Sequence, residues 1–270
     1  MRIQDIKVGE SYRLDGTKIE DIILYTTDEV SELKGNDLSG TWSRYFIPKL
    51  MGRDNVNYML GAYRADETTT YRANLVSKLI FTNEIPEEYE TSWDVSYSGD
   101  ETIMSYIVPK ALLYDQYIVI QSDINTCVNI SDGYSLFNGY SQMATIENME
   151  AVITTGVTSM KYMFNVCSKM QTFNISGFDT SNVTDISGMF SGCSSLIDLD
   201  LSNFDTSNIT TMSSMFYNCG GLVSVNLNSF DTKNVTNMNS MFSGCRSLKN
   251  VYWEHVDTQK VTNMGYMFYN

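Results

Sequence analysis

The sequence predicts an α+β repeat fold, a solenoid in which each coil supplies one short parallel strand and one short helical or turn segment. The first observation is a strict spacing, because cysteines recur every 26 residues, at Cys167, Cys193, Cys219 and Cys245. The second is the dipeptide Met-Phe, which recurs in step with them and ends at Phe164, Phe190, Phe216, Phe242 and Phe268. Periods of about 20 to 50 residues are the signature of repeat architectures.

The strand half of each copy shows a period of two. Leu196-x-x-Leu199-x-Leu201 ends in strict alternation, which predicts a short strand whose leucines face one way. The same L-x-x-L-x-L pattern is the core of a leucine-rich repeat, whose usual period is about 20–29 residues. Parallel strands lie about 4.8 Å apart, so about five coils would span on the order of 25 Å.

The other half of each copy shows a longer period. Val183, Ile186, Met189 and Phe190 lie at i, i+3, i+6 and i+7, which places them on one face of a short helix or of a pair of turns. The preceding residues 179–182 are rich in helix-capping side chains. We therefore expect each coil to consist of a strand, a turn, a helical segment and a second turn.

The repeated apolar residues must stack from coil to coil, because one coil cannot bury its own apolar edge. The spacing of adjacent coils would also permit disulfides between neighbouring cysteines, since the Cα separation that suits the bond is about 5–6 Å. We favour buried free thiols that act as small apolar residues. Cys127 lies outside the ladder and makes the total odd, which also argues against a disulfide framework.

An aspartate recurs with the same period, at Asp179, Asp205, Asp231 and Asp257. Stacked carboxylates repel one another, so the row must be exposed, bonded to backbone N–H groups or bridged by cations. Asx turns are the favoured explanation, since aspartate followed by Thr or Ser favours them. A Ca²⁺ ladder is the alternative.

The repeat F-D-T-S-N-V-T-x-M-S-x-M-F-x-G-C-x-x-L-x-x-L-x-L-S, best seen from Phe178 to Ser202, resembles that of the BspA-like leucine-rich-repeat surface proteins. The resemblance covers about residues 135–270, with a family-like lead-in from about residue 90. It implies a right-handed repeat stack that is displayed on bacterial or viral surfaces and used for attachment, with no catalytic residue and no cofactor.

These features lead to a predicted function of non-enzymatic adhesion, in which the array binds a protein or glycan on a host or neighbouring cell. Because residues 1–10 contain no apolar signal-peptide core, we also weigh a phage or virion tail protein whose N-terminal domain docks to the particle. The expected location is the cell surface or extracellular space, with the virion as the alternative. Oligomeric state would separate the two, since tail proteins are usually trimers or larger rings.

Three domains are predicted: an unidentified β-rich domain over 1–85, a lead-in cap over 86–134, and the solenoid over 135–270. In the first, we expect strands at Ile22–Tyr25, Tyr58–Tyr63 and Thr70–Phe81. The array ends in mid-repeat without a polar cap, which suggests either a longer array or a homo-oligomer that covers the open end.

Little in the sequence points to chemistry. His255 is the single histidine, so the ladder cysteines lack a base partner and zinc sites built on several histidines are excluded. An enzyme hidden within residues 1–130 is the remaining enzymatic alternative. The net charge of −14 argues against nucleic acid and anionic membranes, and no apolar stretch is long enough to span a bilayer.

The predicted binding face consists of the outward positions that alternate with the leucines of each strand. A flat polar surface of this kind is a common binding surface in repeat proteins, although the same side chains could simply solvate the sheet. The predicted face comprises Thr172, Asn174, Ser176, Asp198, Asp200, Ser202, Ser224, Asn226, Asn228, Asn250, Tyr252 and Glu254.

Overall fold

The computed structural model describes residues 11–12, 18–19, 49–50, 75–94, 103–110, 113–120, 128–130 and 133–269. Two compact units make up the chain, Met1–Ser43 and Arg44–Asn270. In the first unit, strand β1 (Ser11–Tyr12) pairs antiparallel with β2 (Lys18–Ile19). The elements described below all belong to the second unit.

The second unit begins with strands and continues into the repeats. Its strands are β3 (Lys49–Leu50), β4 (Val76–Thr82), β5 (Thr91–Asp94), β6 (Ile103–Lys110), β7 (Leu113–Ile120), β8 (Val128–Ile130), β9 (Thr145–Glu147), β10 (Val152–Ile153), β11 (Ser224–Asn226) and β12 (Asn250–Tyr252). A 3₁₀ turn at Met149–Ala151 precedes β10.

A five-stranded mixed sheet adjoins the repeats, in the order β5-β6-β7-β4-β9, and its last strand, β9, lies within residues 135–270. The β5–β6 and β6–β7 pairs are antiparallel, whereas β4 pairs parallel with both β7 and β9. Apolar side chains on one face of these strands, among them Leu79, Phe81 and Ile118, are buried in the same core as the repeats. The sheet therefore joins the repeats through one continuous hydrophobic core.

A buried polar network crosses from this sheet to the first turns that follow it. The Tyr140 hydroxyl donates to the Gln116 Oε1 at 2.8 Å, and the Gln116 Nε2 donates to the Ser105 Oγ at 2.9 Å. All three side chains are fully buried. Burial also raises the pKa of Tyr140 well above its usual value, so its hydroxyl stays protonated as a donor.

The remaining strands form two smaller sheets, β10-β8-β3 and β11-β12. Every pair in them is parallel, and β11 pairs with β12 through Val225 opposite Val251. Since these two residues are 26 positions apart, the register of β11 and β12 equals the repeat period.

Adjacent repeats are joined by a ladder of backbone hydrogen bonds between turns. Isolated parallel bridges connect equivalent residues in series, at Ser159, Asp185, Thr211, Asn237 and Asn263. Next to each bridge, the N–H of a phenylalanine donates to a methionine carbonyl of the following repeat, for example Phe190 to Met215 at 3.0 Å and Phe216 to Met241 at 2.9 Å. The backbone polar groups of the turns therefore find partners in the neighbouring repeat.

The predicted α+β repeat with a leucine-rich-repeat-like solenoid is wrong. The described residues contain no α-helix, and strands in small sheets and turns make up the regular structure. Positive φ angles interrupt every predicted helical segment, with Gly188 at 63°, Gly192 at 74° and Ser214 at 55°. Their N–H groups bond to the next repeat rather than four residues back, as a helix would require. The i, i+3, i+7 spacing thus belongs to a pair of turns.

The prediction of one strand per repeat is also wrong. Only β11 and β12 are strands among the leucine segments of the described repeats. The equivalent segments at 172–174 and 198–200 have no strand ladder, although Leu199 and Leu201 are still buried. Burial of the leucines is therefore achieved without continuous strand pairing.

The stacking of the apolar residues is confirmed. The rings of Phe137, Phe164, Phe190, Phe216, Phe242 and Phe268 form a column in which each ring is stacked on the next. Its centroid separations are 5.3, 5.7, 5.9, 5.5 and 5.4 Å. The four ladder cysteines are buried and free, as predicted.

Some predictions concern residues that lie outside the described ones. These are the expected strands at Ile22–Tyr25 and Tyr58–Tyr63 and the fifth cysteine, Cys127. The third expected strand, Thr70–Phe81, overlaps β4, which begins at Val76. The three predicted domain boundaries stay predictions.

Candidate binding face

The face predicted from the sequence lies on the surface. Eleven of its twelve residues are exposed, and Ser224 is half-buried. Between them the apolar positions point inward, with Leu201, Val225 and Leu227 at most 3% exposed. The alternation of in and out therefore separates a polar surface from the core, as expected for an extended segment.

Local hydrogen bonds hold the polar side chains of this face. The Asp200 Oδ1 accepts from the Ser202 N–H at 2.9 Å, and the Asn226 Oδ1 accepts from the Asn228 N–H at 3.0 Å. These are Asx turns, in which a side chain bonds to the backbone two residues on. A third contact of the same spacing joins the Ser176 hydroxyl to the Asn174 Oδ1 at 3.0 Å.

One hydrogen bond on the face crosses between repeats. The Asn228 Oδ1 accepts from the Glu254 N–H at 2.8 Å, next to the parallel pairing of β11 and β12. The polar groups of the third and fourth repeats are thus fixed relative to each other. A surface ordered before binding loses less conformational entropy when a partner docks.

The face is acidic as well as polar. Asp198, Asp200 and Glu254 are all exposed. The Ser202 hydroxyl and, to a lesser degree, the Ser202 N–H lower the pKa of Asp200, because hydrogen bonding to the charged form favours it. This carboxylate is therefore ionised at neutral pH and offers an acceptor to cationic or hydroxyl donors.

Buried threonines connect each repeat to the next behind the turns. The Thr206 Oγ1 donates to the Asp231 carbonyl at 3.1 Å and accepts from the Asp231 N–H at 2.7 Å. Thr154 makes the same pair of bonds with Asp179, and Thr232 makes it with Asp257. These hydroxyls are a structural feature that the sequence reasoning missed, because threonine at this position was interpreted only as a capping or turn residue.

The row of aspartates forms Asx turns, which confirms the favoured explanation. Each Oδ1 accepts from the N–H two residues on, at 2.8–3.0 Å, in Asp179, Asp205, Asp231 and Asp257. Hydrogen bonds from Ser207 lower the pKa of Asp205, and those from Lys233 lower the pKa of Asp231. Within the described residues, no group of three or more His, Cys, Asp or Glu side chains could hold a metal ion.

The ladder thiols are poorly suited to nucleophilic chemistry. Each donates to a phenylalanine carbonyl, as in Cys219 to Phe190 at 3.0 Å and Cys245 to Phe216 at 2.9 Å. Burial raises the pKa of all four thiols, that of Cys245 to about 11. Since the thiolate is the reactive form, these cysteines stay inert at neutral pH. His255 is exposed and lies on the surface of the fourth repeat.

A cavity of about 140 Å³ adjoins the predicted face at its N-terminal end. Two face residues, Thr172 and Asn174, line it together with Thr145 of β9. Sequence reasoning missed this cavity because β9 and the repeat segment show no common motif. In the part of the chain that the structure describes, no helix is long and apolar enough to cross a membrane.

Stacked rings, buried thiols and hydrogen-bonded turns define a protein of tandem 26-residue turn repeats with an exposed polar face. In a comparison with known protein families, this repeat region matches one family. The chain belongs to the family described as Mycoplasma protein of unknown function, DUF285, which matches residues 131–252 and 198–270. No curated protein matches the chain, and no solved structure matches it.

Proposed function

We propose that this chain is a non-enzymatic recognition module, displayed at a bacterial surface, that binds a protein or glycan through its polar face. The observation that carries the proposal is the ordered row of exposed acceptors at Asn174, Asp200 and Asn226, each bonded to the residue two positions on. An array of equivalent acceptors, repeated from coil to coil, is suited to a ligand that presents several donors.

Two further features support adhesion rather than catalysis. The repeat sequence is similar to that of the BspA-like surface proteins, which are used for attachment, and the family match covers that same region. Among the described residues, the buried groups with a raised pKa are the four ladder thiols and the Tyr140 hydroxyl. All of them are enclosed in the hydrophobic core. A catalytic site would instead place perturbed groups in an accessible cleft.

The test is a screen of the full chain on printed arrays of glycans and extracellular host proteins. The wild type is compared with the double variant Asp200→Ala/Asn226→Ala, which removes two acceptors from the face. The matched control is Asn208→Ala/Thr210→Ala, which alters two exposed residues of the turn half of the repeat. We expect array signals that fall about tenfold or more in the face variant and persist in the control, since each lost buried polar contact weakens binding by about 1–3 kcal/mol.

Equal signals from the face variant and the wild type would refute the assignment of this face. An absence of saturable signal on both arrays would refute the recognition function as stated.

A further inference from the structure

The cavity beside the face is a gap between the strand segments of two successive repeats. Thr145 of β9 and Thr172 lie at the same distance along the chain from the stacked rings of Phe137 and Phe164. Further along the array, β11 and β12 occupy the equivalent positions and are hydrogen-bonded to each other. Among the described strands, by contrast, β9 pairs only with β4, and a space of about 140 Å³ separates it from residues 172–175.

This cavity has an apolar floor and a neutral polar mouth. The mouth carries the exposed side chains of Thr145, Thr172 and Asn174, which offer two hydroxyls and a carboxamide. Apolar cavities of about 150 Å³ accommodate a molecule as large as benzene, so the available volume suits one substituent of a larger ligand. The floor is formed by four buried side chains, Met149, Met170, Phe173 and Ile175.

The backbone of Ile146 adds a donor and an acceptor to the same space. The carbonyls of Ser77 and Phe81 both accept hydrogen bonds from the β9 side, at 3.0 and 2.7 Å. Because backbone groups alternate in direction along a strand, Leu79 also directs its N–H and C=O toward β9. Ile146 lies opposite Leu79 in this parallel pair, so its own N–H and C=O point away from β4, toward the cavity that it lines.

The charge around the mouth is balanced. Glu147 is paired with Lys78, since the Oε1 and Nζ atoms lie 2.8 Å apart, and the three mouth side chains are neutral. The net charge of −14 on the whole chain repels anionic ligands. Sialylated and sulfated sugars are therefore disfavoured, and the site suits a neutral ligand.

We propose that the cavity receives the acetamido group of a neutral N-acetylated sugar. The methyl of that group packs on the apolar floor, and its N–H and C=O bond to the C=O and N–H of Ile146, so that the buried amide keeps its hydrogen bonds. The sugar ring lies at the mouth, where its hydroxyls meet Thr145, Thr172 and Asn174. This inference rests on the proposed recognition function and narrows its ligand to a glycan, because Asn174 also belongs to the row of acceptors on the face.

The experiment is saturation-transfer-difference NMR on the full chain, with affinities taken from titrations. The probes are the methyl glycosides of N-acetylglucosamine and N-acetylgalactosamine. The matched probes are the methyl glycosides of glucose and galactose, which have a hydroxyl in place of the acetamido group. A peptide that carries an N-acetylated lysine offers the same acetamido chemistry from a protein and separates the two sources.

We expect the acetyl methyl protons to receive the strongest saturation, since they would lie against the floor of the cavity. The acetamido glycosides should bind about tenfold or more tightly than their hydroxyl counterparts, and the acetylated peptide should not compete with them. These comparisons use only the wild type, so they do not depend on how a variant folds.

The double variant Thr172→Val/Asn174→Ala removes a hydroxyl and a carboxamide from the mouth at two exposed positions. The affinity for the acetamido glycosides should fall about tenfold or more in this variant. Thr210→Val/Asn208→Ala makes the same two changes at exposed positions of the turn half, and it should bind as the wild type does.

Equal affinity for acetamido and hydroxyl glycosides, or no saturable binding of either, would overturn this inference. Binding of the acetylated peptide in place of the sugars would overturn it too, since the partner would then be a protein. The inference and the proposed function fail separately. Array signals that depend on Asp200 and Asn226 but come from proteins, or from glycans without acetamido groups, would remove the acetamido site alone and leave the recognition function standing.

Discussion

Replacing Thr206 by valine removes the hydroxyl that joins the third and fourth 26-residue repeat units, which begin at Phe204 and Phe230. This side chain is 1% exposed, and its Oγ1 bonds both the N–H and the carbonyl of Asp231. Valine has nearly the same shape, so the packing is kept while one donor and one acceptor lose their partner. Each unpaired buried group costs about 1–3 kcal/mol, and the added apolar methyl returns about 0.8 kcal/mol. We expect a net loss of about 1–5 kcal/mol.

The assay is urea unfolding followed by far-UV circular dichroism, combined with hydrogen exchange at the Asp231 amide. Thr206→Ser should recover most of the loss, since it restores the hydroxyl. Thr210→Val is the matched control, because Thr210 is exposed and the Thr184 carbonyl that its hydroxyl reaches also accepts from the Thr210 N–H. That variant should change the free energy of unfolding by less than about 0.5 kcal/mol. A Thr206→Val protein as stable as wild type, with Asp231 exchange unchanged, would refute the reasoning.

Three other predictions follow from the core of the repeats. Phe216→Ala should cost about 3–5 kcal/mol of unfolding free energy, whereas Tyr217→Ala, at an exposed position, should cost little, and equal losses would contradict the ring column. Gly221→Ala should be destabilising in the same urea assay, because a Cβ there would lie 2.8 Å from the Ser194 carbonyl oxygen, and an unchanged unfolding midpoint would argue against this contact. Burial raises the pKa of the Cys245 thiol from its ordinary value of 9.0 to about 11, so the stability that the protonated thiol contributes is complete below pH 9.0 and is lost as the pH rises through about 11. The difference in unfolding free energy between wild type and Cys245→Ser should therefore shrink between these pH values. A constant difference would contradict the burial of this thiol.

The sequence predicted which side chains form the core better than it predicted the backbone conformation of the repeats. A strict 26-residue period requires that equivalent side chains stack, whatever the local conformation, so the phenylalanine column and the buried cysteines could be predicted. The helical segments could not. Spacing of i, i+3 and i+7 is shared by helices and by consecutive turns, and the left-handed residues that decide between them include Ser214 and Ser240. Serine gives no signal of positive φ, whereas glycine would.

The candidate site was likewise predicted only in part. Alternation with buried leucines was sufficient to identify exposed positions such as Asp200 and Asn226. Asx turns were predicted for the row of aspartates that begins at Asp179, but not for the side chains of the face. The cavity beside β9 was not predicted at all. It arises where β9, a strand of the five-stranded sheet, meets residues 172–175, so no single motif contains it.

The most direct test of the central claim measures how much fluorescently labelled chain binds to host cells. The wild type is compared with Asp200→Lys/Asn226→Lys, which neutralises the negative charge of the face, and with Thr184→Lys/Thr210→Lys, which places the same two lysines on exposed positions of the turn half. The proposed function predicts saturable binding that is lost in the first variant and retained in the second. Retention by both variants, or loss in both, would contradict recognition through this face.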